Sequence, residues 1–440
     1  MAAAGAVALL WITCIGCSRP PSVTQALPGD VDQPAPTQSP SVEINFYLDT
    51  TQSIRGFLHQ PPGKANYFRD VLDKVGGILA GTWDRAEPHF WGFGGPRPEP
   101  IEIRNYLSPE AFGGTRTFID HAITHEPPQR PGQTKLPRVK IVITDLFQDH
   151  NDMDRLAVDL SRTLDDPSRA VGMLAIRNPF DGAIDDLPGG QTLPRGAAES
   201  LPFYMLMIGP VADVTHCVRE FSTRLGMDEL PTDQKLAIVF GRHTVSRLQR
   251  KLLVVPAEKR PGYSPKDSKV RNARELGIPY LADVRRDLHL SIKNECPDTQ
   301  LNQLGAYMRI SRTPVLKAFR WAKDGWTEGT EPAAAVSIAG GLAVDGRGCM
   351  QGDVRLDRSR LQKNAVYLFQ IQLTGERTDF ANLGAWFVDL KDLPDIVDKG
   401  AYKDKVGKTP NLRHLLQTLS SKMFESQIPL ARYYFYVETE

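Results

Sequence analysis

The chain has 440 residues, 41% of them hydrophobic and 24% charged, with a formal net charge of +1. That length holds two or three domains with ordinary cores, and the composition excludes a collagen, a coiled-coil rod and a wholly disordered chain. No apolar run after residue 20 approaches the roughly eighteen residues of a spanning helix. A neutral balance also argues against a dedicated nucleic-acid binder, which needs a basic excess against phosphate. The charge is unevenly spread, however. Residues 1–230 carry 20 Lys and Arg against 28 Asp and Glu, residues 231–330 carry 19 against 10, and residues 331–440 carry 14 against 14. An acidic part beside a basic one fits two docked domains of complementary charge, or two parts with different partners.

Residues 1–16 (MAAAGAVALLWITCIG) form an uncharged apolar segment, too short to span a bilayer but the right length for the core of a signal peptide. Ile15-Gly16-Cys17 resembles the end of a bacterial lipobox. That resemblance implies an acylated, N-terminal Cys17, whose chains would each contribute about 0.8 kcal/mol per buried CH₂ to membrane anchoring. The expectation is a lipoprotein of the bacterial cell envelope, with the outer membrane or periplasmic face favoured. Residues 18–40 contain six prolines and almost no large apolar side chain, so they read as a stiff, extended tether. Cys217 shares a helical face with Val214, Val218 and Phe221 and reads as a buried structural thiol. Cys296 and Cys349 could pair in an oxidising compartment, but their distance is not readable from sequence.

From residue 41 the hydrophobic period switches repeatedly between strand and helix. Ile44–Leu48 is a nearly continuous apolar run, as a strand buried on both faces should be. Ala65–Leu79 places Phe68, Val71, Leu72, Val75, Ile78 and Leu79 at helical spacing. His89–Phe93 reads as a strand, Thr117–Thr124 as a helix start and Val139–Thr144 as a buried strand. Asn151–Leu164 reads as a helix, Ala170–Ile176 and Phe203–Ile208 as strands, and Val211–Leu225 as a closing helix. Such alternation predicts an α/β fold with a doubly wound, mostly parallel sheet over residues 41–228. Ligands of such sheets bind beyond the carboxyl ends of the strands.

Those ends carry the chemistry. After the first strand comes Asp49-Thr50-Thr51-Gln52-Ser53-Ile54-Arg55-Gly56, a carboxylate and hydroxyls on one tight turn. Phe112-Gly113-Gly114-Thr115-Arg116-Thr117 delivers further hydroxyls at a helix start, and Asp145 follows the strand VKIVIT. These are hard oxygen donors, suited to an octahedral Mg²⁺-like ion that keeps several waters.

This constellation resembles the von Willebrand factor A-type domain and its metal-ion-dependent adhesion site, built from D-x-S-x-S, a Thr and an Asp on three loops. The resemblance covers residues 41–228. It maps Asp49, Thr51 and Ser53 onto the first loop, with Thr for the first Ser, and puts Gly56 where the family often has Gly. Thr115 maps onto the second loop, with Thr117 as the alternative register, and Asp145 onto the third, where the family's frequent following Gly is Leu146. The resemblance implies bound Mg²⁺ (or Mn²⁺ or Ca²⁺), no catalytic residues, and a partner protein that offers an acidic side chain to the ion. Two other readings stay open: a metal-dependent phosphoester hydrolase using the same carboxylates, and a metal-free docking scaffold. The long segment Arg177–Ser200, rich in Gly, Pro and Asp, reads as a loop facing the partner.

Other patterns carry less. Trp91-Gly92-Phe93-Gly94-Gly95 breaks before completing a dinucleotide fingerprint, and His121 and His125 lack the Glu of a zinc protease helix. Residues 229–440 read as a second, β-rich and sandwich-like domain. Its strands include Lys235–Phe240, Val366–Thr374 and Ala431–Glu438, and it has an amphipathic helix over Asn411–Met423. No catalytic motif is recognisable there.

Overall fold

The strand β1, Ser41–Asp49, is buried on both faces and is an interior strand of a seven-stranded sheet. It is followed by helix α1 (Tyr67–Thr82), strands β2 (Arg85–Phe93) and β3 (Glu99–Pro100), helix α2 (Ile119–Thr124) and strand β4 (Arg138–Thr144). Then come α3 (Met153–Thr163), β5 (Arg169–Pro179), a hairpin of β6 (Ile184–Leu187) and β7 (Gln191–Leu193), β8 (Ser200–Pro210), α4 (Val211–Arg224) and β9 (Lys235–Gly241). The computed structural model describes residues 37–128, 136–147, 153–187, 191–193, 195–196, 199–241, 252–256, 280–285, 287–294, 308–311, 313–322, 325–344, 350–377, 380, 383–388, 408–410, 412–425 and 429–440. Cys17, most of the tether, Cys296 and Cys349 lie outside them.

The protein is a mixed α/β structure with strand order β3-β2-β1-β4-β8-β5-β9. Strands β1, β2 and β4 pair in parallel, whereas β8 pairs antiparallel with both β4 and β5, and β9 antiparallel with β5. The mostly parallel sheet expected from the alternation is therefore corrected to a mixed one. The reason lies between β5 and β8. A parallel return needs a crossover of a dozen or more residues, usually helical. The described residues of 180–199 instead supply a hairpin and no helix, and the chain comes back antiparallel beside the strand it left. Strand β9 belongs to this sheet although it follows residue 228.

Two hydrophobic layers flank the sheet. On one face Val42, Ile44, Phe46 and Leu48 of β1 join Phe68, Val71, Leu72 and Val75 of α1 and Val214, Cys217, Val218 and Phe221 of α4. Cys217 is fully buried there, and burial pushes its thiol well up, as a structural thiol requires. On the other face Tyr47, Val142, Met173, Tyr204 and Leu206 join Leu156 and Leu160 of α3 and a helix from the far end of the chain, α5 (Leu412–Glu425). That α3–α5 contact is edged by Asp154, 3.0 Å from His414 Nε2, and by an ion pair from Asp165 to Lys422.

The rest of the C-terminal half is β-rich. Residues 252–256, 288–294, 350–356 and 336–344 form a four-stranded antiparallel sheet. Residues 280–284, 429–439, 366–377, 315–322 and 325–328 form a second, mostly antiparallel one. Both send side chains into the same core layer as α3 and α5, among them Leu290, Val354, Phe369, Ile371 and Phe435. Among the described residues no helix is long and apolar enough to cross a membrane.

Candidate metal centre

Asp49 and Asp145 sit at the carboxyl ends of neighbouring parallel strands, β1 and β4, and both are essentially inaccessible to solvent. Each makes a local turn, the habit of Asp in tight loops. Asp49 Oδ1 accepts from Thr51 N at 3.1 Å and Thr51 Oγ1 at 2.7 Å, and Asp145 Oδ1 accepts from Phe147 N at 3.0 Å. Asp49 Oδ2 accepts from Thr144 Oγ1 at 3.1 Å, so the last residue of β4 reaches across to the last residue of β1.

Hydroxyls complete the cluster. Thr51 Oγ1 lies 3.2 Å from Ser53 Oγ and accepts from Thr117 Oγ1 at 3.3 Å, and all three residues are buried. The second loop is drawn onto the first by backbone bonds: Gln52 N donates to Gly114 O at 3.1 Å and Gly114 N to Thr50 O at 3.0 Å. Gly114 is required for this approach. A Cβ there would stand 2.9 Å from the backbone of Gly94 and 3.0 Å from Thr50 O. Of the two second-loop threonines, it is Thr117 whose hydroxyl joins the cluster; Thr115 lies exposed at the rim, its N–H on Gly94 O at 3.2 Å.

The third loop stores strain. Leu146 has φ 63°, the left-handed region that glycine enters freely and a branched side chain does not. This is the position at which the A-type pattern often has Gly. Here the strained backbone is held by burial of the Leu146 side chain and by its N–H on Thr144 Oγ1 at 3.2 Å.

The electrostatics favour a cation. Burial, and then the neighbouring Asp145 carboxylate, raise the Asp49 pKa well above the ordinary Asp value. The hydrogen bonds from Thr51 and Thr144 oppose that rise without cancelling it. Two buried carboxylates ringed by hydroxyls fit a small hard ion that completes its shell with water. Among the described residues no group of three or more His, Cys, Asp and Glu side chains gathers. The donors present here are carboxylate and hydroxyl oxygens, whereas zinc favours nitrogen and sulfur. The pair His121 and His125 is spent on packing: His125 Nδ1 bonds the Tyr47 hydroxyl at 3.0 Å, and His121 stacks on Phe118.

The excursion 180–199 leaves β5 at the same end of the sheet and is clasped to the first loop. Asp181 N donates to Gly56 O at 3.0 Å, the Phe180 ring packs on Phe57, and Arg195 pairs with Asp181. Asn178, fully buried, donates to Phe57 O at 3.0 Å and accepts from Phe68 N at 3.2 Å. Thr144 and Asn178 were not evident as site residues in the sequence, since Thr144 reads as the last residue of a buried strand and Asn178 as part of the loop 177–200.

No protein-family model matches the chain, and no curated protein matches it.

Proposed function

We propose that the chain binds a divalent cation, Mg²⁺ or a similar hard ion, between Asp49 and Asp145, and through it an acidic side chain of a partner protein. In this reading residues 41–228 are of von Willebrand factor A type, and Cys17 anchors the protein by lipid to a membrane of the bacterial cell envelope. The observation that carries it is the buried Asp49–Asp145 pair with the Thr51, Ser53 and Thr117 hydroxyls beside it. Two protein carboxylates at most neutralise the ion and leave most of its coordination positions to water, which a further anionic ligand can displace. Asp49, Thr51, Ser53 and Asp145 hold it directly or through water, and Thr117, the alternative register to Thr115, supplies the second-loop hydroxyl.

The partner claim is tested by capture from envelope extracts with the full chain as bait. The expected result is a partner retained with Mg²⁺, lost with chelator and lost in Asp145→Ala at any Mg²⁺ concentration. Capture indifferent to both would overturn it in favour of a metal-free scaffold. Phosphoester turnover abolished by the same substitution would favour the hydrolase. For the anchor, Cys17→Ala should release the protein into the soluble fraction and remove lipid label; membrane retention without label would contradict the assignment.

A further inference from the structure

Tyr204 is a fully buried tyrosine at the site end of the sheet, placed there because β8 runs antiparallel to β4. It is the register partner of Thr144, whose hydroxyl bonds Asp49. The two side chains belong to one face, since directly opposed residues in an antiparallel pair point the same way with Cβ atoms about 4.5–5.5 Å apart. Tyr204 does not end in solvent. Its hydroxyl shares a 2.7 Å hydrogen bond with Oγ1 of Thr409, a buried residue of the C-terminal half.

Thr409 is itself fixed. Its N–H donates to Trp386 O at 3.0 Å, and the short strand 409–410 pairs with 387–388. The buried Trp386 ring lies under the Arg177 guanidinium, 5.2 Å from its centroid, and Arg177 Nη2 donates to Ala385 O at 2.6 Å. Arg177 stands near the end of β5. Through Tyr204 and Arg177 the β-rich half is thus held to the sheet at the end that carries Asp49 and Asp145. The Asp145 carboxylate also adds to the upward shift that burial imposes on the Tyr204 hydroxyl, so the two groups lie within electrostatic reach.

We infer that Tyr204 and Thr409 are positioning residues of the ion site, so that a cluster built on the N-terminal half is completed from the C-terminal half. This rests on the proposed ion site. Thr409 holds the Tyr204 ring against Thr144, and that packing keeps the Thr144 hydroxyl aimed at Asp49 Oδ2 and in place to accept from Leu146 N. The carboxylate of Asp49 is thereby turned toward Thr51 and Asp145 rather than left to swing. By linkage, an ion that needs this arrangement must in turn strengthen the docking of the segment around Trp386 and Thr409.

The test uses the full chain in detergent with Mn²⁺ as the probe. Tyr204→Phe and Thr409→Val should each weaken Mn²⁺ binding by about tenfold, and the double variant should be no weaker than the worse single, as expected for one shared interaction. Thr409→Ser, which keeps the hydroxyl, should restore wild-type affinity. A merely structural role would lower the melting temperature equally with and without ion, whereas a positioning role shrinks the Mn²⁺-induced increment itself. Amide exchange gives the second readout: saturating Mn²⁺ should slow exchange at residues 386–388 and 409 as well as at 49–53. Protection confined to 49–53, with both variants binding Mn²⁺ like wild type, would overturn the inference and leave the ion site standing. Absence of Mn²⁺ protection at 49–53 in the wild type would overturn the ion site, and this inference with it.

Discussion

Asp49→Asn should raise the melting temperature of the ion-free protein at neutral pH and, at the same time, abolish the further rise that Mg²⁺ gives. Both effects come from the same charges. The folded-state pKa of Asp49 is raised by burial and by Asp145, so between the ordinary Asp range and that raised value the folded protein holds a proton that the unfolded chain has released. Stability contributed by this group is therefore present at low pH and is lost as pH rises through the folded pKa, the reverse of a salt-bridged aspartate. A neutral Asn removes that loss. In the wild type the ion removes it instead, and at a hundredfold excess over its dissociation constant it adds about 2.7 kcal/mol by mass action, a shift of a few degrees for a chain of this size. Scanning fluorimetry of both proteins from pH 4 to 8, with and without Mg²⁺, checks all four curves. An ion-free Asp49→Asn protein less stable than wild type at neutral pH would contradict the repulsion on which the site is argued.

Gly56→Val should separate ion binding from partner capture. A Cβ at Gly56 would lie 2.4 Å from the Phe180 ring, too close for any contact, and the ring already packs edge-on with Phe57, centroids 5.0 Å apart. The first loop cannot readily yield. Phe57 O accepts from the amides of both Asn66 and Asn178, at 2.9 and 3.0 Å, and Asp49 and Ser53 lie only a few residues away. Phe180 must therefore move and carry the excursion 180–199 off the first loop. Overpacking of this kind costs roughly 1–3 kcal/mol, visible in denaturant melts. Mg²⁺ affinity should stay within a few-fold of wild type while partner capture falls by an order of magnitude or more. Equal loss of both would show that the excursion supports the ion site rather than facing the partner.

Much of the sheet was legible because its signals are local. Ile44–Leu48 and Val139–Thr144 are apolar runs of strand length ending in Asp, and their parallel pairing through β1 and β4 follows. The first-loop cluster was legible for the same reason: Asp49, Thr51 and Ser53 bond one another within five residues. The reversal of β8 was missed, though its signal was present. Residues 180–199 lack any helical period, and without a helix the return strand had no crossover to bring it round. That one error hid Tyr204. On a parallel strand it would stand at the opposite end of the sheet, and inside FYMLMI it reads as packing. Its partner Thr409 is 205 residues away in sequence, and no local pattern encodes a contact of that range. The choice between Thr115 and Thr117 turned on where the chain enters the helix Ile119–Thr124, a boundary of one or two residues that helix signals do not resolve. Leu146 was visible as a departure from the A-type pattern. Only the backbone reveals that the position still demands a left-handed conformation.

The central claim is that Asp49 and Asp145 share one cation, and the most direct measurement is anomalous scattering from crystals grown with Mn²⁺. The predicted result is a peak between the two carboxylates, beside the Thr51 and Ser53 hydroxyls, that disappears in crystals of Asp49→Asn. A map with no peak there at millimolar Mn²⁺, or a peak that survives the substitution unchanged, would contradict it.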